Sequence, residues 1–515
     1  MVELGNWCYL ALILLPLLGG VGVFFIPFKK RSIMCVYVEI ITLLTSLLSF
    51  SILFNRPSEP LNLVTFVRKY SIAFGFDGMG TIFAGLISFL WPLASLYAFE
   101  YMKHEANERS CKETTFFGFY TMTFGVTLGI ASASNLLTMY IFYEMLTLVT
   151  VPLIIFSLSR EATLATRTYL YYSLGGAAFG FVALIFLSNY GNSLDFVLGG
   201  ILDYNATSQT VSVSSGTIEG AATSASANLM RLIYLFGFFG FGVKAAVCPL
   251  CSWLPKAGVA PTPVTALLHA VAVVKSGAFA ILRITYYSFG TDLLKGSFAQ
   301  FIPMAVVIFT IVYGCSQAVR ERHFKRRLAY STVSNLSYIL FGALIMSPLG
   351  MVGALSHMLF HGVMKICSFF CAGAVITRTG KEYVYELDGL GRRMPKTFAA
   401  FTISALALMG VPGLCGFISK FNLAKGAIES GNVLAYIGVG ALLVSALLTA
   451  IYMLQVVIRA YFPEKDFSYD SIARYSDPGW KMIVPFGIFI VVMFWFGLNS
   501  QGIVDLLTNV AEGMF

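Results

Sequence analysis

Seven ionisable side chains stand in stretches apolar enough to reject them: Glu39, Glu144, Lys244, Lys275, Arg283, Lys365 and Lys420. His269, His357 and His361 join them, and Asp77 opens an apolar run. A charge at the centre of a bilayer costs about 2.5–3.5 kcal/mol on insertion scales, so each retained one needs a partner or a task. Four of the seven are lysines. A low dielectric disfavours the compact ammonium and a neighbouring carboxylate restores it. Moving one carboxylate can therefore load or unload a proton, which is the chemistry of ion translocation.

The surroundings say where these groups could act. Glu144 lies in a run from Asn135 to Phe156 that is otherwise almost wholly apolar. With Lys244 it forms the expected charge pair. Lys244 is followed by Pro249, Pro255, Pro261 and Pro263. Prolines withdraw backbone donors and clash with the preceding turn, so this helix should break just after the lysine and be followed by a re-entry turn. Gly410, Pro412, Gly413 and Gly416 should break a second helix just before Lys420. Two interrupted helices in corresponding positions of two halves mark inverted-repeat transporters, and the breaks free backbone groups that can hold water.

His357, His361 and Lys365 are spaced to share one helix face. They read as a titratable stripe along a wet path, or as hydrogen-bonding partners of neighbouring helices. Haem ligation is a rival reading, but the chain has only five histidines, with His104 and His323 expected in loops, too few for a di-haem cytochrome. Arg283, close to a helix end, reads as a structural charge that snorkels, and Glu39 is read as structural too.

The elements that must position these groups follow from composition. Apolar residues make up 57% of the 515 and charged ones 11%, against about a quarter charged in soluble domains. Runs of the roughly 20 apolar residues needed for a crossing recur throughout. The expectation is an all-α polytopic membrane protein of about fourteen transmembrane helices, near 4–27, 33–54, 76–99, 115–132, 135–158, 167–188, 230–250, 262–285, 299–319, 328–346, 350–376, 398–420, 432–460 and 481–500. The first run lacks a cationic leader and is expected to be retained rather than cleaved.

With the N-terminus outside, the inner loops carry 23 of the 34 Lys and Arg residues and the outer loops six. This is the positive-inside bias. It accounts for the net charge of +9 without nucleic acid. Both termini and the loop 189–229, which lacks any basic residue, are then outside. The nine cysteines are scattered, so no disulfide framework is expected. Cys248 and Cys251 form a CxxC with no second pair, which argues against a metal or redox site.

The segment from Lys244 through Trp253-Leu254-Pro255 to Lys275 and Phe279 resembles the signature of the antiporter-like subunits found in respiratory complex I, membrane-bound hydrogenases and Mrp-type sodium/proton antiporters. Asp77-Gly78, Tyr101-Met102, Asn135-Leu136 to Glu144, Arg326 to Ser331, His357 to Lys365 and Gly410-Val411-Pro412 to Lys420 extend the match in order over most of the chain. The resemblance implies two inverted five-helix repeats, with broken helices seven and twelve. The divisions would be three helices in 1–114, repeats at 115–290 and 291–462, and a last helix in 463–515.

It also implies Glu144 and Lys244 as the switch, Lys275 as the central relay, His361 and Lys365 as the link and Lys420 as the terminal group, with His269, His357 and Asp77 as a secondary path. Cys251 and Gly258 stand where many members have His, so no histidine is available on that loop. The chain is also expected to stop after about fourteen helices, without the long lateral helix or fused extra domain of the largest such subunits. The expected function is proton or sodium translocation within a prokaryotic inner-membrane complex, beside further antiporter-like and redox subunits. No cofactor or metal is expected in this chain, which would not itself be redox-active. The alternative is a subunit of a stand-alone Mrp-type sodium/proton antiporter.

Overall fold

A computed structural model describes residues 5–57, 59–67, 70–108, 112–212, 224–464 and 467–515. Residues 213–223 of the long loop, with Arg68, Lys69, Arg109 and Lys465 of the charge count, lie outside the described residues. The chain opens with α1 (Cys8–Phe25) and α2 (Arg31–Phe54), followed by an antiparallel hairpin of β1 (Leu61–Val67) and β2 (Tyr70–Phe74). Then come α3 (Gly78–Glu108), α4 (Glu113–Ala131), α5 (Leu136–Ile154) and α6 (Arg160–Tyr190). His104 falls in the last turns of α3 rather than in a loop.

One side chain ties the hairpin to α5. Asn135 accepts the Thr138 N–H at 2.8 Å as N-cap and donates from Nδ2 to the Ser71 carbonyl at 2.9 Å. This satisfies an orphan donor of the helix and fixes where the helix carrying Glu144 begins.

A small antiparallel sheet, β3 (Asp203–Asn205), β4 (Thr210–Ser212) and β5 (Ser224–Ser226), leads to α7 (Ala227–Gly242). The turns that follow contain α8 (Trp253–Lys256), and then α9 (Thr262–Ala270) and α10 (Val273–Arg283) run one after the other. The second half has α11 (Thr291–Leu294), α12 (Phe298–Arg320), α13 (Phe324–Ile345), α14 (Pro348–Thr379), α15 (Leu390–Arg393), α16 (Pro395–Met409), α17 (Cys415–Glu429), α18 (Val433–Tyr461), α19 (Trp480–Leu498) and α20 (Gln501–Glu512).

Among the described residues eleven helical runs are long and apolar enough to cross a membrane, while α7 and α16 are apolar but shorter. Burial sorts them. The run Thr262–Phe289 is wholly buried, α13 and α14 are 94% and 89% buried, and α2, α18 and α19 only 39%, 39% and 28%. The buried runs form the centre, and the others present apolar side chains outward, as lipid contact demands.

The interruptions differ from expectation in two places. α7 ends at Gly242, so the break begins before Lys244 rather than after it. Gly240 and Gly242 weaken the helix there, and Gly277 lets α10 press against the backbone of Lys244 and Ala245 so closely that a Cβ would lie 2.5 Å from the Ala245 nitrogen. The eighth expected helix is also broken, at Val271 and Ala272, whose amides both return to the Leu267 carbonyl at 3.0 and 2.8 Å. The twelfth breaks where expected. Gly410, at φ +93°, ends α16 in the left-handed conformation that glycine tolerates best.

α17 nevertheless runs to Glu429, which pairs with Lys425 at 3.7 Å inside the helix, not in an outer loop. The last segment, 463–515, holds α20 in addition to the expected helix.

Candidate functional site

Lys244, Lys275 and Lys420 lie at or beside helix interruptions, Lys365 lies within the unbroken α14, and none of the four forms an ion pair with a carboxylate among the described residues. Lys244, wholly buried just past the end of α7, donates from Nζ to the Tyr143 carbonyl, with its charge 3.5 Å from the centroid of the Tyr143 ring. Glu144, the next residue of α5, is half-buried with Oε1 unpartnered. The expected charge pair is therefore not in contact: Lys244 rests on Tyr143, the residue just before Glu144. The backbone oxygen and the aromatic face hold the cation.

Lys275 is wholly buried on α10 and its Nζ has no hydrogen-bond partner. It abuts α14 at Gly362, where an added Cβ would come 2.6 Å from Nζ. His361 is the preceding residue, with both ring nitrogens unpartnered. Gly362→Ala should therefore displace the Lys275 ammonium and slow ion transport about tenfold, with assembly retained, because overpacking by one methyl costs about 1–3 kcal/mol. Transport assays on reconstituted vesicles check this. Undiminished transport by the variant would mean that the position of Lys275 is not critical.

His357, His361 and Lys365 do share one face of α14. The His357 and His361 rings stack with centroids 5.7 Å apart, and His357 Nδ1 is 2.9 Å from Ser419 Oγ on α17. Lys365 donates to Ser331 Oγ on α13 at 2.7 Å. His269, on α9, stacks on Phe369 at 4.8 Å with both nitrogens unpartnered, across the break from Lys275.

Lys420 donates to the Leu408 and Met409 carbonyls at 2.6 and 3.1 Å and lies 5.3 Å from the centroid of the Tyr338 ring. Those carbonyls end α16, where the helix dipole and the orphan oxygens favour a cation. Lys420 is therefore not unpaired, although the nearest acid in sequence is Glu429. Its partner is the broken backbone itself. A Cβ at Gly410 would also press on its stem at 3.0 Å.

Asp77 and Arg283 sit apart from the lysines. Their two bonds, at 2.6 and 2.7 Å, form a bidentate pair, and Phe196, Phe279 and Tyr287 box the guanidinium at 4.7, 4.9 and 4.7 Å. Arg283 is 1% exposed and does not snorkel. Burial pushes the Asp77 carboxyl up, but the Arg283 charge and hydrogen bonds from Arg283 and the Gly80 amide outweigh it and hold it below its ordinary value. The pair lines a cleft of about 1100 Å³ with the hairpin and α20. Glu39, on α2, is remote from the lysines' helices and keeps Oε2 unpartnered.

The pattern of the NADH:quinone oxidoreductase/Mrp antiporter transmembrane family matches residues 133–449, which take in Glu144, all four lysines and the three buried histidines. The chain is 30% identical over 402 residues to an NAD(P)H-quinone oxidoreductase chain 4 of Picosynechococcus, covering 76% of this chain and 67% of that one. Its fold overlays a chain of the archaeal membrane-bound sulfane sulfur reductase with a TM-score of 0.82 at 20% identity, over 98% of this chain and 97% of that one. It overlays a chain of the Mrp complex from Dietzia with a TM-score of 0.81, also at 20% identity, over 99% and 97%.

Proposed function

Because the chain belongs to the NADH:quinone oxidoreductase/Mrp antiporter transmembrane family, we propose that it is the subunit that moves protons, sodium ions or both through a multisubunit redox-driven membrane complex. The observation that carries this is the set of four lysines inside the bundle, three wholly buried and three at helix breaks, with no carboxylate in ion-pair contact. A charge held only by carbonyls, a hydroxyl or nothing is easily discharged, whereas a tight ion pair is not.

In this reading Glu144 and Lys244 are the switch, and Lys244 on the Tyr143 carbonyl is its separated state. Lys275 relays, His361 and Lys365 link, and Lys420 releases, with His269 and His357 beside the path and Asp77 at the cleft. The chain crosses the inner membrane about fourteen times, ten of them in two inverted five-helix repeats, and the paired breaks near Lys244 and Lys420 support that symmetry. Redox groups belong to partner subunits.

Intact assembly reconstituted in vesicles with a pH- or sodium-sensitive dye tests the reading. Glu144→Gln and Lys244→Ala should each abolish transport with assembly largely kept, and the double change should assemble at least as well and stay inactive. A double variant that transports normally would make the pair structural. Co-purifying cluster-binding subunits would mark a redox complex. Small membrane subunits alone would mark a stand-alone antiporter.

Orientation has its own measurement. Both termini and the outer loop should face outside, as the basic asymmetry requires. Thr207 in the outer loop and Arg322 in an inner one are both exposed and suit single cysteines in a version depleted of the native ones. An impermeant thiol reagent added outside should label Thr207→Cys and spare Arg322→Cys. The opposite result inverts the topology.

A further inference from the structure

Beside the lysines, three helices of the second half bury a continuous string of hydroxyls and one thiol. Lys365 donates to Ser331 Oγ, and the Tyr452 hydroxyl meets the same oxygen at 2.7 Å. Tyr452 is 3.2 Å from Thr449 Oγ1. Cys315 Sγ then stands 3.7 Å from Thr449 Oγ1, 3.1 Å from Ser334 Oγ and 2.9 Å from Ser445 Oγ. Ser445 Oγ receives the Tyr338 hydroxyl at 2.7 Å. Tyr338 is the ring beside which Lys420 rests.

All of these side chains are at most 1% exposed. Cys315, on α12, bridges the Thr449 and Ser445 hydroxyls of α18, and it lies within electrostatic reach of both Lys365 and Lys420. Ser445, Thr449 and Tyr452 occupy successive turns of one face of an otherwise lipid-suited helix. Polar groups on one apolar helix face are costly unless they bond to one another. Here they do so in a line that begins and ends at cations.

We propose that Ser331, Tyr452, Thr449, Cys315, Ser445 and Tyr338 form a proton-conducting branch from Lys365 to Lys420, with the Cys315 thiol as its central link. It rests on the reading of the chain as an ion translocator. The bonds seen have Tyr452 and Tyr338 donating back to Ser331 and Ser445, so the hydroxyls first turn until each donates onward; the Lys365 ammonium then gives one proton to Ser331 as Ser331 passes its own to Tyr452. Each hydroxyl, and the thiol, gains one proton and loses one, and Tyr338 hands the last to the neutral Lys420 amine when that flexible stem swings to the phenol. The groups then rotate back, with no bond other than O–H, S–H and N–H exchanged. The string carries protons and not sodium, because side chains at hydrogen-bond distance leave no ring of oxygens for a bare cation.

The test is proton transport by the intact assembly in dye-loaded vesicles. Cys315→Ala should slow it about tenfold, as expected for removing one positioned proton carrier. Cys315→Ser, which restores a hydroxyl, should return it to near the wild-type rate, a rescue that a packing role for sulfur does not give. Tyr452→Phe keeps the ring, removes the hydroxyl and should match Cys315→Ala, so the outcome does not hang on one variant folding. If both variants transport like the wild type while Lys365→Ala is inactive, the branch is overturned and the translocator reading stands. If the wild type moves no ion, that reading fails and the branch with it.

Discussion

Lys275→Met should yield a complex that resists heat better than the wild type and transports nothing. Nζ of Lys275 is wholly buried and unpartnered, pressed against the bare backbone of Gly362. A buried cation without a partner costs several kcal/mol even after relaxation. Methionine has nearly the same length and occupies the same buried space without charge or donor. Replacing buried charges by apolar groups of similar volume is often stabilising, by about 1–4 kcal/mol. The site would thus exchange stability for function, as strained sites commonly do.

Thermal denaturation of the purified assembly and transport in vesicles are the paired measurements. A variant that is less stable would mean that the ammonium contributes binding of its own. A variant that is more stable yet transports normally would make Lys275 a packing residue and remove the centre of the proposed path.

That Lys244, Lys275 and Lys365 lie inside the bundle was legible because bilayer physics makes any charge in an apolar run conspicuous, whatever the fold. The break at Gly410 was legible too, since glycines and a proline punctuate it. The break at Val271 and Ala272 was not. Neither residue is a helix breaker by type, so nothing in the sequence marks it. What holds each cation was also hidden. Sequence suggests carboxylates as partners, but Lys244 and Lys420 rest on carbonyls, and every residue has one.

Arg283 failed in the opposite sense. Its partner, Asp77, lies 206 positions away, so proximity to a helix end suggested solvent where the fold supplies an acid. The hydroxyl string left a weak signal that could have been found. Ser331 closes the Arg326 to Ser331 segment, and Ser445, Thr449 and Tyr452 repeat at helical spacing on an apolar helix.

Lys420→Arg should assemble normally and lose transport, whereas Lys420→Met should lose both transport and some stability. The contrast follows from the end of α16. Its last carbonyls, of Leu408 and Met409, are turned to a single donor, and Gly410 closes the turn so tightly that the stem of Lys420 fills the space beside it. Methionine leaves those oxygens buried without a donor, a loss of about 1–3 kcal/mol for each unsatisfied group. Arginine still supplies N–H groups and a cation to the helix C-terminus, so the break keeps its cap.

A guanidinium, however, does not deprotonate in proteins, so whatever proton reaches this position stays. If Lys420 releases protons, the arginine variant blocks the path with a permanent charge, and the block should be more complete than with methionine, which leaves a neutral gap that water can cross. Side-by-side vesicle assays at several pH values separate the two. Wild-type transport by Lys420→Arg would rule out proton release at this residue and leave Lys420 as a fixed barrier that repels cations from the outer half of the path.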